Sequence, residues 1–188
     1  MTRIIAGRLG GRRLATPPGS GTRPTSDRVR EALFSALESR MGGLADARVL
    51  DLYAGSGALG LEAISRGAAH ATLVEADRRT AVLIRRNAHE LGVADAVTVA
   101  AVKVRTFTAR PPATPYDVII ADPPYDLSDA DLAVVLQAVA TPVWLDPDGI
   151  LVVERSTRGP ALSWPATIDG ESHRAYGETA LWYGRPHD

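Results

Sequence analysis

The chain has 188 residues, 45% of them hydrophobic and 23% charged, and contains no cysteine. That length suits a single domain with a sizeable core, and the missing cysteine excludes disulfide frameworks, thiolate metal sites and cysteine nucleophiles. The four histidines (His70, His89, His173 and His187) are scattered without metal-ligand spacing, so no metal is expected. No apolar run approaches the roughly 20 residues of a membrane helix. The opening Met1 to Arg8 is too short in apolar residues for a signal peptide, and the expectation is a cytoplasmic protein without a membrane partner.

The formal charge of −1 hides an asymmetry: residues 1–30 carry +6, from seven arginines against Asp27, and the remainder carries −7. A basic arm on an acidic body points to a polyanionic partner at the N-terminus. Arginine suits RNA, because its planar fork binds phosphate bidentately and stacks on bases.

Residues 1–21 read as an extended arm. Short β-compatible pieces around Gly7, Gly10 and Gly11 predict a hairpin, and Thr16-Pro17-Pro18-Gly19-Ser20-Gly21 a link. From Thr25 the pattern turns helical: Val29, Leu33 and Leu37 recur every four residues, Thr25-Ser26-Asp27 supplies a cap, and Met41-Gly42-Gly43 a stop. Strands and helices then alternate. Arg48 to Leu52 is a strand and Ala58 to Arg66 a helix; His70 to Glu75 is a strand and Arg78 to Leu91 a helix. Val97 to Val99 and Tyr116 to Ala121 are strands, Asp129 to Val139 is a helix, and Ile150 to Val153 is a strand after the Asp146-Pro147-Asp148-Gly149 turn. The tail, through Thr167-Ile168 and Thr179 to Tyr183, is strand-like with no helix between, so it forms an antiparallel pair at the sheet edge. This βαβα rhythm predicts an α/β, doubly wound sheet.

The turn after the first of these strands, Asp51-Leu52-Tyr53-Ala54-Gly55-Ser56-Gly57-Ala58-Leu59-Gly60, satisfies GxGxxG. A tight packing turn would match the pattern equally, as would a dinucleotide site. Asp51 separates the cofactors: its carboxylate would repel a pyrophosphate and favour a ligand with an ammonium group and no phosphates. S-adenosylmethionine is such a ligand, and it also carries a sulfonium. The candidate cofactor-binding residues are Asp51, Tyr53, Ala54, Gly55, Ser56, Gly57, Glu75 and Ala76, with Glu75 placed to accept from ribose hydroxyls.

Asp122-Pro123-Pro124-Tyr125 follows the apolar run Tyr116 to Ala121. Most Pro-Pro pairs are plain loop. Here two prolines fix a rigid exit at the carboxyl end of a strand, where ligands bind in open α/β sheets. The Asp122 carboxylate and Pro123 carbonyl can accept from an exocyclic amine while Tyr125 stacks on the base. Asp122, Pro123, Pro124 and Tyr125 are therefore the candidate catalytic residues, acting by positioning more than by base catalysis, on a base taken out of its stack.

Three blocks carry a resemblance: Thr22-Arg23-Pro24-Thr25-Ser26-Asp27-Arg28-Val29-Arg30-Glu31-Ala32-Leu33-Phe34, the glycine turn continued through Leu61-Glu62-Ala63, and Asp122-Pro123-Pro124-Tyr125. With the opening Arg3-Ile4-Ile5-Ala6-Gly7, the chain closely resembles the bacterial RsmD-type family, methyltransferases acting on a guanine N2 of small-subunit (16S) ribosomal RNA. The first block is the most family-specific. The resemblance implies a Rossmann-like class I methyltransferase sheet of seven strands and an N-terminal β-hairpin arm that helps to hold RNA, naked or within a small-subunit or assembly particle. Residues 1–21 are then the arm and residues 22–188 the S-adenosylmethionine-dependent domain. The expected RNA-binding residues are Arg3, Arg8, Arg12, Arg13, Arg23, Thr25, Arg28 and Arg30. One departure stands out: such enzymes often carry Asp or Asn after the third strand for the adenine amino group, and Ala100 to Phe107 has neither. Backbone groups serving instead, or modest cofactor affinity, are the two ways to meet it.

Competing readings weaken on inspection. A DNA adenine-N6 methyltransferase shares the second motif but needs a recognition domain, for which Gly57 to Asp122 leaves no room. A non-catalytic RNA-binding module would not need both Asp51 and Asp122. An NAD-dependent oxidoreductase is disfavoured by Asp51 and by the lack of a Tyr-Lys or His pair.

Overall fold

The computed structural model describes residues 2–17 and 26–187. Strands β1 (Thr2–Arg3) and β2 (Arg13–Leu14) form an antiparallel hairpin, with Thr2 opposite Leu14. Helix α1 spans Asp27–Met41, capped by the Ser26 hydroxyl accepting the Val29 N–H at 3.2 Å and closed by Gly42 in the left-handed region. The expected stops and starts are thus realised, since a hydroxyl satisfies an orphan N–H and glycine reaches positive φ without strain.

There follow β3 (Arg48–Asp51), α2 (Ala58–Ser65), β4 (His70–Val74), α3 (Arg78–Glu90), β5 (Val97–Ala100), α4 (Val104–Phe107), β6 (Tyr116–Ala121), α5 (Asp129–Val139), β7 (Leu145–Ser156), β8 (Ile168–Tyr176) and β9 (Thr179–Pro186). The seven-stranded sheet has the order β5-β4-β3-β6-β7-β9-β8. The first five are parallel, and β9 lies antiparallel to both β7 and β8. This is the doubly wound α/β sheet with an antiparallel edge pair that the rhythm predicted. The central strands bury both faces, so they read as continuous apolar runs. Val49, Ile120 and Val152 face a core with α1, α2 and α3; Leu50, Ile119 and Val153 face one with α5.

Two details differ from expectation. α4 is a single turn, too short to show periodicity. β7 runs from Leu145, because the 146–149 turn loops out between the Tyr116–Leu145 and Val118–Ile150 pairs and the strand resumes. A turn signal therefore marks a bulge rather than the strand's start.

The hairpin is stapled to α2. Glu62, fully buried, accepts the N–H groups of Ile5 and Ala6 at 2.7 and 3.0 Å, and the Ser65 hydroxyl accepts that of Leu9 at 3.0 Å. Ile4, Leu9 and Leu14 are part of the core. Gly7 lies so close to α2 that a Cβ there would come within 2.0 Å of the Ser65 carbonyl oxygen.

Candidate active site

The register sets the site. β3 and β6 are neighbours, with Asp51 opposite Ile120, so the glycine turn and Asp122-Pro123-Pro124-Tyr125 leave from adjacent strand ends, the place where ligands bind in open α/β sheets.

Asp51 is fully buried. Its Oδ2 accepts the Gly60 N–H at 3.2 Å, while Oδ1 has no hydrogen-bond partner among the described residues. Loss of hydration, then the nearby Asp122 carboxylate, push its pKa up from 3.8 to about 7. An orphaned carboxylate oxygen beside a glycine turn suits a cationic ligand, which would supply the missing interaction.

The turn is built for close approach. Gly57 (φ +81°) caps α2, and a Cβ on Gly60 would come within 2.8 Å of the Leu73 side chain. Glu75, partly exposed, holds the turn from the end of β4. One oxygen accepts the Gly55 N–H at 2.9 Å and the other the Asp77 N–H at 2.8 Å. The carboxylate expected to meet ribose hydroxyls thus also braces the loop. Ala76 beside it is exposed. Ala54 is buried and donates its N–H to the Val74 carbonyl at 3.0 Å. Ser56 presents its carbonyl to the Asn87 amide at 3.2 Å. Tyr53 packs against the core on the α5 side, and burial raises its hydroxyl to about 12. The side chains of Tyr53 and Asp51 therefore lie toward opposite faces of the sheet.

Asp122, Pro123 and Tyr125 line one pocket with Glu154, Arg155 and Ser156. The Tyr125 side chain stands 67% exposed at its lip, and the Pro124 carbonyl accepts the Leu127 N–H at 3.0 Å, turning the chain toward α5. Glu154 was absent from the sequence expectations, which ended that strand at Val153. A signal for it exists. Asp51, Glu75, Asp122 and Glu154 each end or directly follow the apolar run of a parallel strand, and these four strands are contiguous.

Of the expected RNA-binding residues, Arg3, Arg8, Arg12, Arg13 and Arg28 are exposed. Arg3 pairs with Asp27 at 3.2 Å, and Arg12 donates to the Glu90 carbonyl at 2.8 Å. Arg23 and Thr25 lie outside the described residues. Arg30 is a correction. Only 1% of its side chain is exposed, and it donates to the Thr2 hydroxyl, the Arg3 carbonyl and Asp27, 3.8 Å from Glu62. It ties the hairpin to α1 and has no surface to offer RNA.

No helix among the described residues is long and apolar enough to cross a membrane.

The sheet order, the antiparallel edge pair and the glycine turn define a Rossmann-like methyltransferase. Residues 2–185 match the family described as Conserved hypothetical protein 95, the RsmD-type family, and the chain belongs to it. It is 36% identical over 178 residues to the "Ribosomal RNA small subunit methyltransferase D" of Escherichia coli, covering 95% of this chain and 86% of that one. The solved Escherichia coli protein yhhF superposes with a TM-score of 0.84 at 34% identity, covering 98% of this chain and 97% of that one. A hypothetical protein of Thermus thermophilus superposes with a TM-score of 0.79 at 32% identity, covering 97% and 98%.

Proposed function

We propose that the protein transfers a methyl group from S-adenosylmethionine to the exocyclic N2 amine of a guanine in small-subunit (16S) ribosomal RNA. The observation that carries the donor is the buried Oδ1 of Asp51 beside the glycine turn, which has no hydrogen-bond partner among the described residues. Asp51 would hold the donor's ammonium end, Gly55 to Gly57 would let the backbone approach it, and Glu75 would take its ribose. The bound donor supplies an electrophilic methyl carbon on a sulfonium.

The chain's residues do the positioning. Asp122 and the Pro123 carbonyl accept from the amine, which withdraws the nitrogen lone pair from the ring and aims it into the crevice. Tyr125 stacks on the extruded base. Holding the two reactants in line supplies up to roughly 7–11 kcal/mol of acceleration in favourable cases. Residues 1–21 act as the RNA arm through exposed arginines, and residues 22–188 as the catalytic domain. The names of the relatives support ribosomal RNA as the substrate, and the family resemblance supports N2 of guanine. The test is labelled methyl transfer to small subunits, naked ribosomal RNA and DNA, with nucleoside analysis of the product. N2-methylguanine in RNA is the expected result, and methyladenine as sole product would sink the reading.

A further inference from the structure

We propose that Glu154 makes the site select guanine: its carboxylate accepts the N1–H of the target base while Asp122 and Pro123 hold the N2 amine. This rests on the guanine-N2 reading above and names the residue that enforces it.

The placement follows from register. β6 and β7 run parallel, and their last pair is Ala121 with Val153. The next step along each strand sets Asp122 beside Glu154. Ala121 and Val153 face the α5 core, so alternation turns both acids to the other face of the sheet, the one that Asp51 also serves. Adjacent strands lie about 4.8 Å apart, so the backbones that carry the two acids leave the sheet about one strand-spacing from each other. Both line the pocket whose lip carries Tyr125. Glu154 is only 8% exposed, and it follows Ile150 to Val153, all fully buried.

The chemistry separates the bases. Asp122 and Pro123 accept from any exocyclic amine, adenine N6 included, and Tyr125 offers a ring on which every base can stack. Neither distinguishes guanine. On guanine's Watson–Crick edge the N2 amine is next to N1–H, a second donor. Adenine presents a lone pair at N1, which a carboxylate repels. An acceptor one strand over from Asp122 therefore attracts guanine and turns adenine away.

The experiment compares substrate RNA carrying guanine at the methylated position with the same RNA carrying 2-aminopurine there. That analogue keeps the N2 amine and lacks N1–H. The comparison is run on the wild type and on Glu154→Gln, whose amide both accepts and donates and so tolerates either edge. Binding of the demethylated cofactor product to both proteins checks that the fold and cofactor site are intact. The wild type is expected to prefer guanine, in kcat/KM, about 10–100-fold more strongly than Glu154→Gln does. Loss of O6 in the analogue burdens both enzymes and cancels in that ratio. Equal preference in the two, with N2-methylguanine still the product, overturns the role of Glu154 alone. A wild type that methylates the 2-aminopurine RNA as fast as the guanine RNA overturns it however the variant behaves. Wild-type methylation of an adenine instead overturns the guanine reading beneath it.

Discussion

The side-chain amide of Asn87 grips Ala15 by both of its backbone groups: Oδ1 accepts the Ala15 N–H at 3.0 Å, and Nδ2 donates to the Ala15 carbonyl at 3.0 Å. The same Nδ2 donates to the Ser56 carbonyl at 3.2 Å. One buried residue of α3 thus joins the end of the hairpin arm to the glycine turn. Asn87→Asp keeps the acceptor but sets a carboxylate against two carbonyl oxygens. We expect a loss of about 1–3 kcal/mol in urea unfolding. Unchanged stability would show that Asn87 is not the clamp.

Arg30 and Arg28 should separate cleanly. Arg30 is buried against Glu62 and Asp27, and breaking a buried pair costs about 3–5 kcal/mol. Arg30→Ala is therefore expected to lower the unfolding midpoint strongly. Arg28→Ala, on the exposed face, should leave stability within about 0.5 kcal/mol and weaken RNA binding instead. Equal stability losses in the two variants would contradict the assignment.

Asp51 predicts a pH dependence. Its pKa is raised from 3.8 to about 7 in the fold. Between those values the native state binds a proton that the unfolded chain releases, so this group's contribution to stability falls as pH rises and levels off above about 7. Asp51→Asn should be more stable than the wild type at pH 8, by a few kcal/mol, and should converge with it near pH 4. A cationic donor favours the ionised form, so wild-type cofactor affinity should strengthen as pH rises through about 7, with proton release. Calorimetry in two buffers of different ionisation enthalpy measures that proton, and a pH-independent affinity would refute the pairing.

Asp122→Ala is expected to lower kcat by at least about 100-fold while cofactor binding, measured by calorimetry, survives. Lost cofactor binding in a folded variant would move Asp122 out of the substrate half of the site. Tyr125→Phe should stay near wild type, whereas Tyr125→Ala should lose about 1–3 kcal/mol of RNA binding through the missing ring.

The proposal that the N-terminal arginines hold RNA is tested by substitution rather than by deletion. Ile4, Leu9 and Leu14 belong to the core, so removing residues 1–20 would damage the fold along with the arginines. Replacing Arg8, Arg12 and Arg13 by Gln spares that packing. RNA affinity should fall and its log–log salt dependence flatten by roughly 0.7 for each phosphate left without its arginine. An unchanged slope would place the RNA elsewhere.

The order of strands and helices, the cap at Ser26, the two turns after β3 and β6, and the likeness to one family were all legible along the chain. Those features are local: periodicity, breakers and caps act within a few residues. Which charges face water and which serve the core was settled by packing. Arg28 and Arg30 sit two residues apart in one basic stretch, and helical geometry turns one to solvent and the other onto Thr2, Asp27 and Glu62. Glu154 came to line the same pocket as Asp122 only through the pairing of β6 with β7, because strand register is a relation between distant segments that neither segment carries alone. The gathering of Asp51, Glu75, Asp122 and Glu154 at the ends of contiguous strands is likewise a product of strand order, which brings together acids spread over more than half the chain.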